Sequence, residues 1–197
     1  MKNTIHYVLI LDQSRSMAQL KKEVIRSFNE QVEMILKLSR NEPESEIKLT
    51  LCVFNDTVEF KYSDQSIDQI KRLTSKNYQP DSLTALYDAI GTSFLKISEL
   101  VKPDDQVFFA IFTDGLENAS KFYSAEDIAY KINAGEKSGW KIRFFCRYED
   151  HKFYKKQLGI PVTAMFSKGM NSLGFEDMES EIHFCLSEML DKKKEKS

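Results

Sequence analysis

The sequence has few of the residues that form disulfides, bind zinc or span membranes. It contains three cysteines among 197 residues, Cys52, Cys146 and Cys185, and no CxxC pair. An odd, widely spaced set does not predict a disulfide framework or a zinc site, so we expect three reduced core thiols. No apolar run approaches the roughly 20 residues of a membrane-spanning helix, and the N-terminus lacks a signal-peptide cleavage pattern. We therefore predict a cytoplasmic protein without a membrane partner.

Neither sign of charge dominates the chain. It carries 28 basic and 30 acidic side chains, for a formal net charge of -2. Such a balance provides no general attraction for the phosphate backbone, so we expect no nucleic-acid partner. Hydrophobic residues make up 42% of the chain, which is ordinary for a folded protein. The length suits one domain, predicted over residues 1–192, followed by a frayed basic tail at 193–197.

Apolar, β-branched and aromatic runs alternate with helical patterns, which is typical of α/β proteins. Strands are predicted at 5–11, 47–55, 57–63, 106–113, 140–148 and 160–167. Helices are predicted from Met17 and over 66–73, 85–101, 124–139 and 150–158, with a last amphipathic helix before the tail. Two residues separate the second and third strands, which indicates an antiparallel hairpin. We expect a doubly wound, mostly parallel six-stranded sheet with one antiparallel edge strand and helices on both faces.

Oxygen-bearing side chains follow the two most apolar strands. Asp12, Ser14 and Ser16 come directly after the first strand, and Asp114 follows strand 106–113. Thr84 stands between them, at the start of a predicted helix. Ligands of such sheets bind at the carboxyl ends of the strands, so these side chains can face one crevice.

This donor set consists of carboxylates and hydroxyls, without histidine or cysteine. Hard oxygen donors favour Mg²⁺, with Mn²⁺ or Ca²⁺ as alternatives, and disfavour zinc. Because Mg²⁺ prefers about six oxygens, five side chains leave at least one position for an outside ligand. Simpler explanations also exist for single residues of this set. Ser14 or Ser16 could cap the following helix, since serine is a favoured cap, and Asp114-Gly115 is a common turn dipeptide. A cap needs only one such residue and does not account for Asp12 and Thr84.

The ordered motifs resemble the von Willebrand factor A (vWA) domain family over nearly the whole chain. They are the strand followed by "DQSRS", the threonine of "TALYDAI", and the strand followed by "TDGLENAS". Together they match that family's metal-ion-dependent adhesion site (MIDAS), and they resemble bacterial intracellular members in particular. The resemblance implies the strand order 3-2-1-4-5-6. It also implies that Ser14 and Ser16 coordinate the metal, that Thr84 does so directly or through water, and that Asp12 and Asp114 act mostly through water.

One position departs from the family's pattern. Glycine often stands two residues before the metal-binding threonine, and this chain has Ser82 there. The backbone of the loop that carries Thr84 is therefore expected to be less free to shift.

The resemblance implies a metal-dependent protein-binding module. A partner's Asp or Glu carboxylate would complete the coordination of Mg²⁺, and the expected partners include ATPase or stress-response complexes. The residues expected on the rim of the ligand site are Arg15, Tyr78, Asp81 and Glu117.

Two alternatives belong to other classes of function. One is a metal-dependent phosphatase or phosphotransferase-like enzyme, and the other is a structural assembly subunit that binds no metal. Phosphatases with an aspartate nucleophile need a second carboxylate two residues later, where this chain has Ser14. No GxxxxGK[ST] sequence is present either, which excludes a P-loop NTPase. We therefore expect that the protein is not an enzyme.

Overall fold

The computed structural model describes residues 3–166 and 172–191. Six strands form one sheet in the order β3-β2-β1-β4-β5-β6. They are β1 (Asn3–Asp12), β2 (Ser45–Phe54), β3 (Val58–Ser66), β4 (Gln106–Phe112), β5 (Lys141–Phe145) and β6 (Met165–Phe166). All neighbouring pairs are parallel except β2 and β3, which form the expected antiparallel hairpin. The predicted fold class and strand order are confirmed.

Helices cover both faces of the sheet. They are α1 (Lys21–Asn41), α2 (Leu86–Ser98), α3 (Ala125–Lys137), α4 (His151–Leu158) and α5 (Ser172–Asp191). One core lies between the sheet and the pair α1 and α5, and the other lies between the sheet and helices α2, α3 and α4. Leu9 belongs to the first core and its neighbour Ile10 to the second, because successive strand residues point to opposite faces. This explains why β1 reads as a continuous apolar run.

The sequence placed two elements incorrectly. The predicted helix over 66–73 is only a 3-10 turn at Ile67–Gln69. Beyond that turn the chain crosses α1, where the Asn29 side chain binds the backbone N–H and C=O of Leu73 at 2.8 and 3.0 Å. These bonds hold the backbone in a non-helical path. The buried apolar residues of this segment therefore anchor a loop and do not form a helix face.

The last predicted strand, 160–167, is also shorter than expected. A 3-10 turn occupies Val162–Ala164, and of the residues described in this segment, which end at 166, Met165 and Phe166 pair with β5. The turn forms because the Ala164 N–H donates to the Pro161 carbonyl at 2.9 Å. A second 3-10 turn, Arg15–Leu20, precedes α1, so the regular helix begins later than the pattern from Met17 indicated.

Two further predictions concern the chain as a whole. The basic tail predicted at 193–197 lies outside the described residues. Among the helices that are described, none combines the length and apolar character needed to cross a bilayer.

The carboxyl ends of β1 and β4 lie side by side at the centre of the sheet. Leu11 is in register with Phe112, and Phe112 is in register with Phe145 of the next strand. The polar segments that follow these three strands therefore begin at the same edge. This arrangement brings Asp12 and Asp114 to one place although they are far apart in the sequence.

Candidate metal centre

Asp12 is the innermost residue of the candidate site. Its side chain is fully buried at the end of β1. One carboxylate oxygen accepts a hydrogen bond from the Ser14 N–H at 2.7 Å, and the other accepts one from the Thr113 hydroxyl at 2.6 Å. Burial raises the pKa of Asp12 to about 6, although these hydrogen bonds act in the opposite direction. The carboxylate is thus held in one orientation, in surroundings that penalise its charge.

Two serines connect this carboxylate to Asp114. The hydroxyl oxygens of Ser14 and Ser16 lie 3.1 Å apart, and the Ser16 hydroxyl donates to the Asp114 carboxylate. Asp114 is itself buried, and burial raises its pKa. Four of the five predicted metal ligands therefore form one continuous cluster.

Thr84 faces the same cluster from the loop before α2. A Cβ atom built on Gly115 would lie 3.7 Å from the Thr84 hydroxyl oxygen and 3.6 Å from that of Ser16. Both hydroxyls thus border the same point above Gly115. The Thr84 backbone is fixed by Asn118, whose side-chain oxygen accepts from the Thr84 N–H at 2.9 Å and whose N–H donates to the Thr84 carbonyl at 3.0 Å.

The chemistry of this cluster fits a divalent cation held by oxygen. Two buried carboxylates and three hydroxyls are hard donors, as Mg²⁺, Mn²⁺ and Ca²⁺ prefer. In the described part of the chain, no basic side chain forms an ion pair with either Asp12 or Asp114. Buried carboxylates without a basic partner are costly, and a cation would remove that cost. Residues 3–166 and 172–191 contain no group of three His, Cys, Asp or Glu that could bind a metal, so the hydroxyls are essential here.

The alternative of simple helix capping does not fit the contacts. Ser14 precedes the 3-10 turn, but its side chain makes no capping hydrogen bond. The residue that precedes α1 is Leu20, which has no polar side chain. The Ser14 hydroxyl instead lies 3.1 Å from that of Ser16, which donates to Asp114, and this arrangement is compatible with a shared ion.

Arg15 and Asp81 occupy the exposed edge of the site. Their side chains are 79% and 72% exposed and form an ion pair at 3.1 Å. The backbones of their two loops are also joined, because the Asp81 N–H donates to the Gln13 carbonyl and the Arg15 N–H to the Ser82 carbonyl. Both side chains therefore lie at the exposed edge of the cluster.

The prediction that Tyr78 lies on the rim is wrong. Its side chain is fully buried, and its hydroxyl donates to the Asp12 carbonyl at 2.6 Å. An aromatic ring in a polar loop is stabilised by burial when its hydroxyl finds an acceptor. Tyr78 therefore stabilises the end of β1 through this hydrogen bond and is not exposed to a ligand.

Glu117 is also not free to contact a partner. One of its carboxylate oxygens accepts from the N–H groups of Ala119 and Ser120, and the other accepts from the Tyr87 N–H and the Ser120 hydroxyl. The free N–H groups of the first turn of α2 need such an acceptor. Glu117 thus ties the loop after β4 to α2, which corrects its predicted rim position.

The sequence analysis missed residues that support the site. Thr113 holds Asp12, Asn118 holds Thr84, and the Tyr154 hydroxyl donates to the Gly115 carbonyl at 2.6 Å. A polar residue at the end of an apolar strand was the available signal for Thr113. No local sequence pattern indicated Tyr154, because the residue that it contacts is 39 positions away in the chain.

Ser82 shows why glycine is common at its position. Its φ is 67°, in the left-handed region that most L-residues avoid. The loop keeps this conformation because its backbone is bonded on both sides of Ser82. The departure noted from the sequence is therefore a site of local strain next to Thr84.

No protein-family profile matches the chain, and no curated protein matches it either. Solved structures do match. The PilB minor pilin from Streptococcus sanguinis has a TM-score of 0.65 at 14% identity, covering 96% of this chain and 63% of the pilin. Proximal thread matrix protein 1 from the mussel byssus, with a zinc-occupied MIDAS motif, has a TM-score of 0.64 at 15% identity, covering 92% of this chain and 46% of that one.

A third match has nearly the same extent as this chain. The vWF domain of the type V pili tip protein Mfa5 from Porphyromonas gingivalis has a TM-score of 0.65 at 10% identity, covering 93% of this chain and 96% of that domain. The chain spans about two thirds of the pilin and about half of the byssus protein. At these identities the likeness concerns the fold alone. The strand order and these matches together show that the chain has the fold of a von Willebrand factor A domain.

Proposed function

We propose that this chain is a divalent-cation-dependent protein-binding module. A Mg²⁺ ion would be held by Asp12, Ser14, Ser16, Thr84 and Asp114, and an Asp or Glu side chain of a partner would complete its coordination. The observation that carries this proposal is the hydroxyl and carboxylate cluster of Ser14, Ser16 and Asp114 beside a buried Asp12.

The matched structures support the general class of this function. One of them carries a zinc-occupied MIDAS motif, which makes a divalent cation a reasonable occupant of the corresponding edge of this sheet. Two others are described as a minor pilin and a pilus tip protein. These names favour protein–protein contact, and none of them points to the ATPase or stress-response partners that the sequence suggested. The cytoplasmic location stays a prediction.

Binding accounts for the site better than catalysis. A phosphatase of the aspartate-nucleophile type needs an acid/base group two residues after the nucleophile. Here the Ser14 hydroxyl occupies that position and is turned to Ser16. A phosphatase assay with generic substrates tests the enzymatic alternative directly, and turnover that requires Asp12 would contradict a pure binding role.

The proposal is tested by calorimetric titration with Mg²⁺, Mn²⁺ and Zn²⁺, followed by partner capture with and without EDTA. We expect a saturable heat with the wild type and its loss in Ser14→Ala, which removes one hydroxyl and little volume. Ser75→Ala is the matched control, because Ser75 is exposed and outside the site. Flat titrations with all three metals would instead favour the metal-free structural subunit.

A further inference from the structure

Arg147 follows β5 at the same edge of the sheet as the candidate metal centre. Phe112 of β4 is in register with Phe145 of β5, and the Thr113 N–H continues this ladder to the Phe145 carbonyl at 3.0 Å. Asp114 and Arg147 each stand two residues beyond these partners, in the segments that follow the two adjacent strands. The guanidinium also acts against the burial-driven rise in the pKa of Asp114. Arg147 is thus a neighbour of the metal centre.

The Arg147 side chain is held in a defined orientation. Its Nε donates to one carboxylate oxygen of Asp150 at 2.7 Å, and its Nη2 donates to the other at 3.2 Å. Asp150 is only 8% exposed, whereas Arg147 is 39% exposed. In this forked pair the guanidinium loses little further freedom when it makes another bond. Within the described residues its Nη1 donates no hydrogen bond, so this group is available to a ligand.

The local charges suit a cation and an anion together. Asp12, Asp114 and Asp150 provide three negative charges, and the exposed Glu149 adds a fourth with a carboxylate oxygen 3.8 Å from Nε of Arg147. Arg147 offsets one of these charges, and a divalent cation offsets two more. Because Asp150 pairs with the guanidinium, a positive charge is tolerated close to the metal position. The centre with its ion then presents two positively charged groups, the cation and the guanidinium, to an incoming carboxylate.

We propose that Arg147 is a second anchor for the carboxylate that completes the coordination of the cation. One carboxylate oxygen binds the metal, and the other accepts a hydrogen bond from Nη1 of Arg147. This inference rests on the proposed function, because it needs a cation at the centre. It deepens that function by requiring an anion with two oxygens on one carbon, which favours carboxylate side chains over hydroxyls or amides.

Acetate is a suitable probe, since it presents a carboxylate and nothing else. The protein is loaded with Mn²⁺, and the paramagnetic relaxation of the acetate methyl protons is measured as acetate is added. Losing a hydrogen bond between a charged donor and a carboxylate weakens binding by about tenfold or more. We therefore expect Arg147→Gln to weaken acetate binding about tenfold while Mn²⁺ binding is retained. Arg147→Lys keeps the positive charge but cannot form the forked pair with Asp150. Its acetate affinity should therefore lie between those of the wild type and Arg147→Gln.

The matched control is Arg143→Gln within β5, four residues before Arg147. Arg143 pairs with Glu181 of α5, away from the metal centre, and its loss should leave acetate binding unchanged. Unchanged acetate affinity in Arg147→Gln, with Mn²⁺ bound, would overturn the inference and leave the proposed function intact. Loss of Mn²⁺ binding in that variant would assign Arg147 a structural role, which also overturns the inference. Failure of the wild type to bind Mn²⁺ would overturn the proposed function and the role of Arg147 with it.

A second variant covers the case in which Arg147→Gln does not fold. Asp150→Asn keeps the guanidinium but weakens the charged pair that orients it. We expect a loss of acetate affinity of about threefold, smaller than for Arg147→Gln. Acetate affinity equal to that of the wild type would overturn the inference, because the anchoring role requires the orientation that Asp150 gives the guanidinium.

Discussion

The Thr113 hydroxyl donates a 2.6 Å hydrogen bond to the Asp12 carboxylate, across 101 residues of sequence. Both side chains are fully buried. The bond joins the ends of β1 and β4, the two central strands that carry the candidate metal centre. It also leaves Asp12 with both oxygens engaged, one by Thr113 and one by the Ser14 N–H. The position of the innermost carboxylate is therefore determined before any ion binds.

Replacing Thr113 with valine tests this bond, because the two side chains are nearly the same size. We expect Thr113→Val to lower the free energy of unfolding at neutral pH by about 1.5–3 kcal/mol, since a buried carboxylate loses a donor. The pKa of Asp12 should rise further. Urea unfolding measures the stability, and Thr163→Val at an exposed position is the control. Equal losses in both variants would show that the hydrogen bond has no special weight.

A methyl group on Gly115 would enter the space between two predicted metal ligands. It would lie 3.6 Å from the Ser16 hydroxyl oxygen and 3.7 Å from that of Thr84, at ordinary contact distance. Gly115 does not have a positive φ, so alanine is tolerated by the backbone. We expect Gly115→Ala to change the free energy of unfolding by less than about 0.5 kcal/mol but to weaken Mn²⁺ binding about tenfold or more. Calorimetry measures this affinity. If Gly115→Ala binds Mn²⁺ as tightly as the wild type does, the ion does not bind between Ser16 and Thr84.

The stabilisation by added cation should depend on pH through Asp12. Burial raises the pKa of Asp12 from 3.8 to about 6 in the folded protein. Without metal, the folded state therefore binds the proton more tightly than the unfolded state, and stability falls as the pH rises from about 4 to about 6. A cation binds the charged form, so its effect on the melting temperature should be small near pH 4 and complete above pH 6. Thermal melts with and without Mg²⁺ measure this, and a shift that is constant over this range would contradict it.

The strain at Ser82 predicts a stabilising substitution. Its φ of 67° costs a non-glycine residue about 1 kcal/mol, which glycine avoids. We expect Ser82→Gly to raise the free energy of unfolding by about 0.5–1 kcal/mol. Ser75→Gly should lower it or leave it unchanged, because Ser75 lacks a positive φ. If both variants are destabilised, the conformation of the loop is not strained.

His6, near the amino end of the central strand β1, predicts a second pH dependence. Burial lowers the pKa of His6, but bonds to Asp64 at 2.7 Å and Asp105 at 3.2 Å, with their charges, outweigh burial and raise it above 6.5. The stabilisation by protonated His6 is therefore fully present below pH 6.5 and is lost as the pH rises through the folded value.

Urea unfolding over a pH series without added cation measures this loss. His6→Asn should flatten the stability curve above pH 6.5, because the titrating group is removed. A wild-type curve that is already flat in this range would show that His6 is neutral in the folded state.

The sequence by itself determined the fold class and the donor set of the centre. Doubly buried strands such as β1 have continuous apolar runs, and these runs are local, so the alternation of strands and helices was readable. Asp12, Ser14 and Ser16 follow such a strand directly, and a parallel sheet brings the ends of its strands together. Thr84 and Asp114 could therefore be assigned to the same edge before any contact was known.

Only the tertiary structure decided which other polar residues face the centre. Tyr78 and Glu117 lie in polar loops, where the sequence predicts exposure, but each turns inward because a backbone group needs a partner there. Thr113 reaches Asp12, and Arg147 follows β5 on the same side of the sheet, because strands that are distant in the chain pair with one another. Such pairings are set by the balance of burial and hydrogen bonding over the whole sheet. No local pattern of residues encodes them.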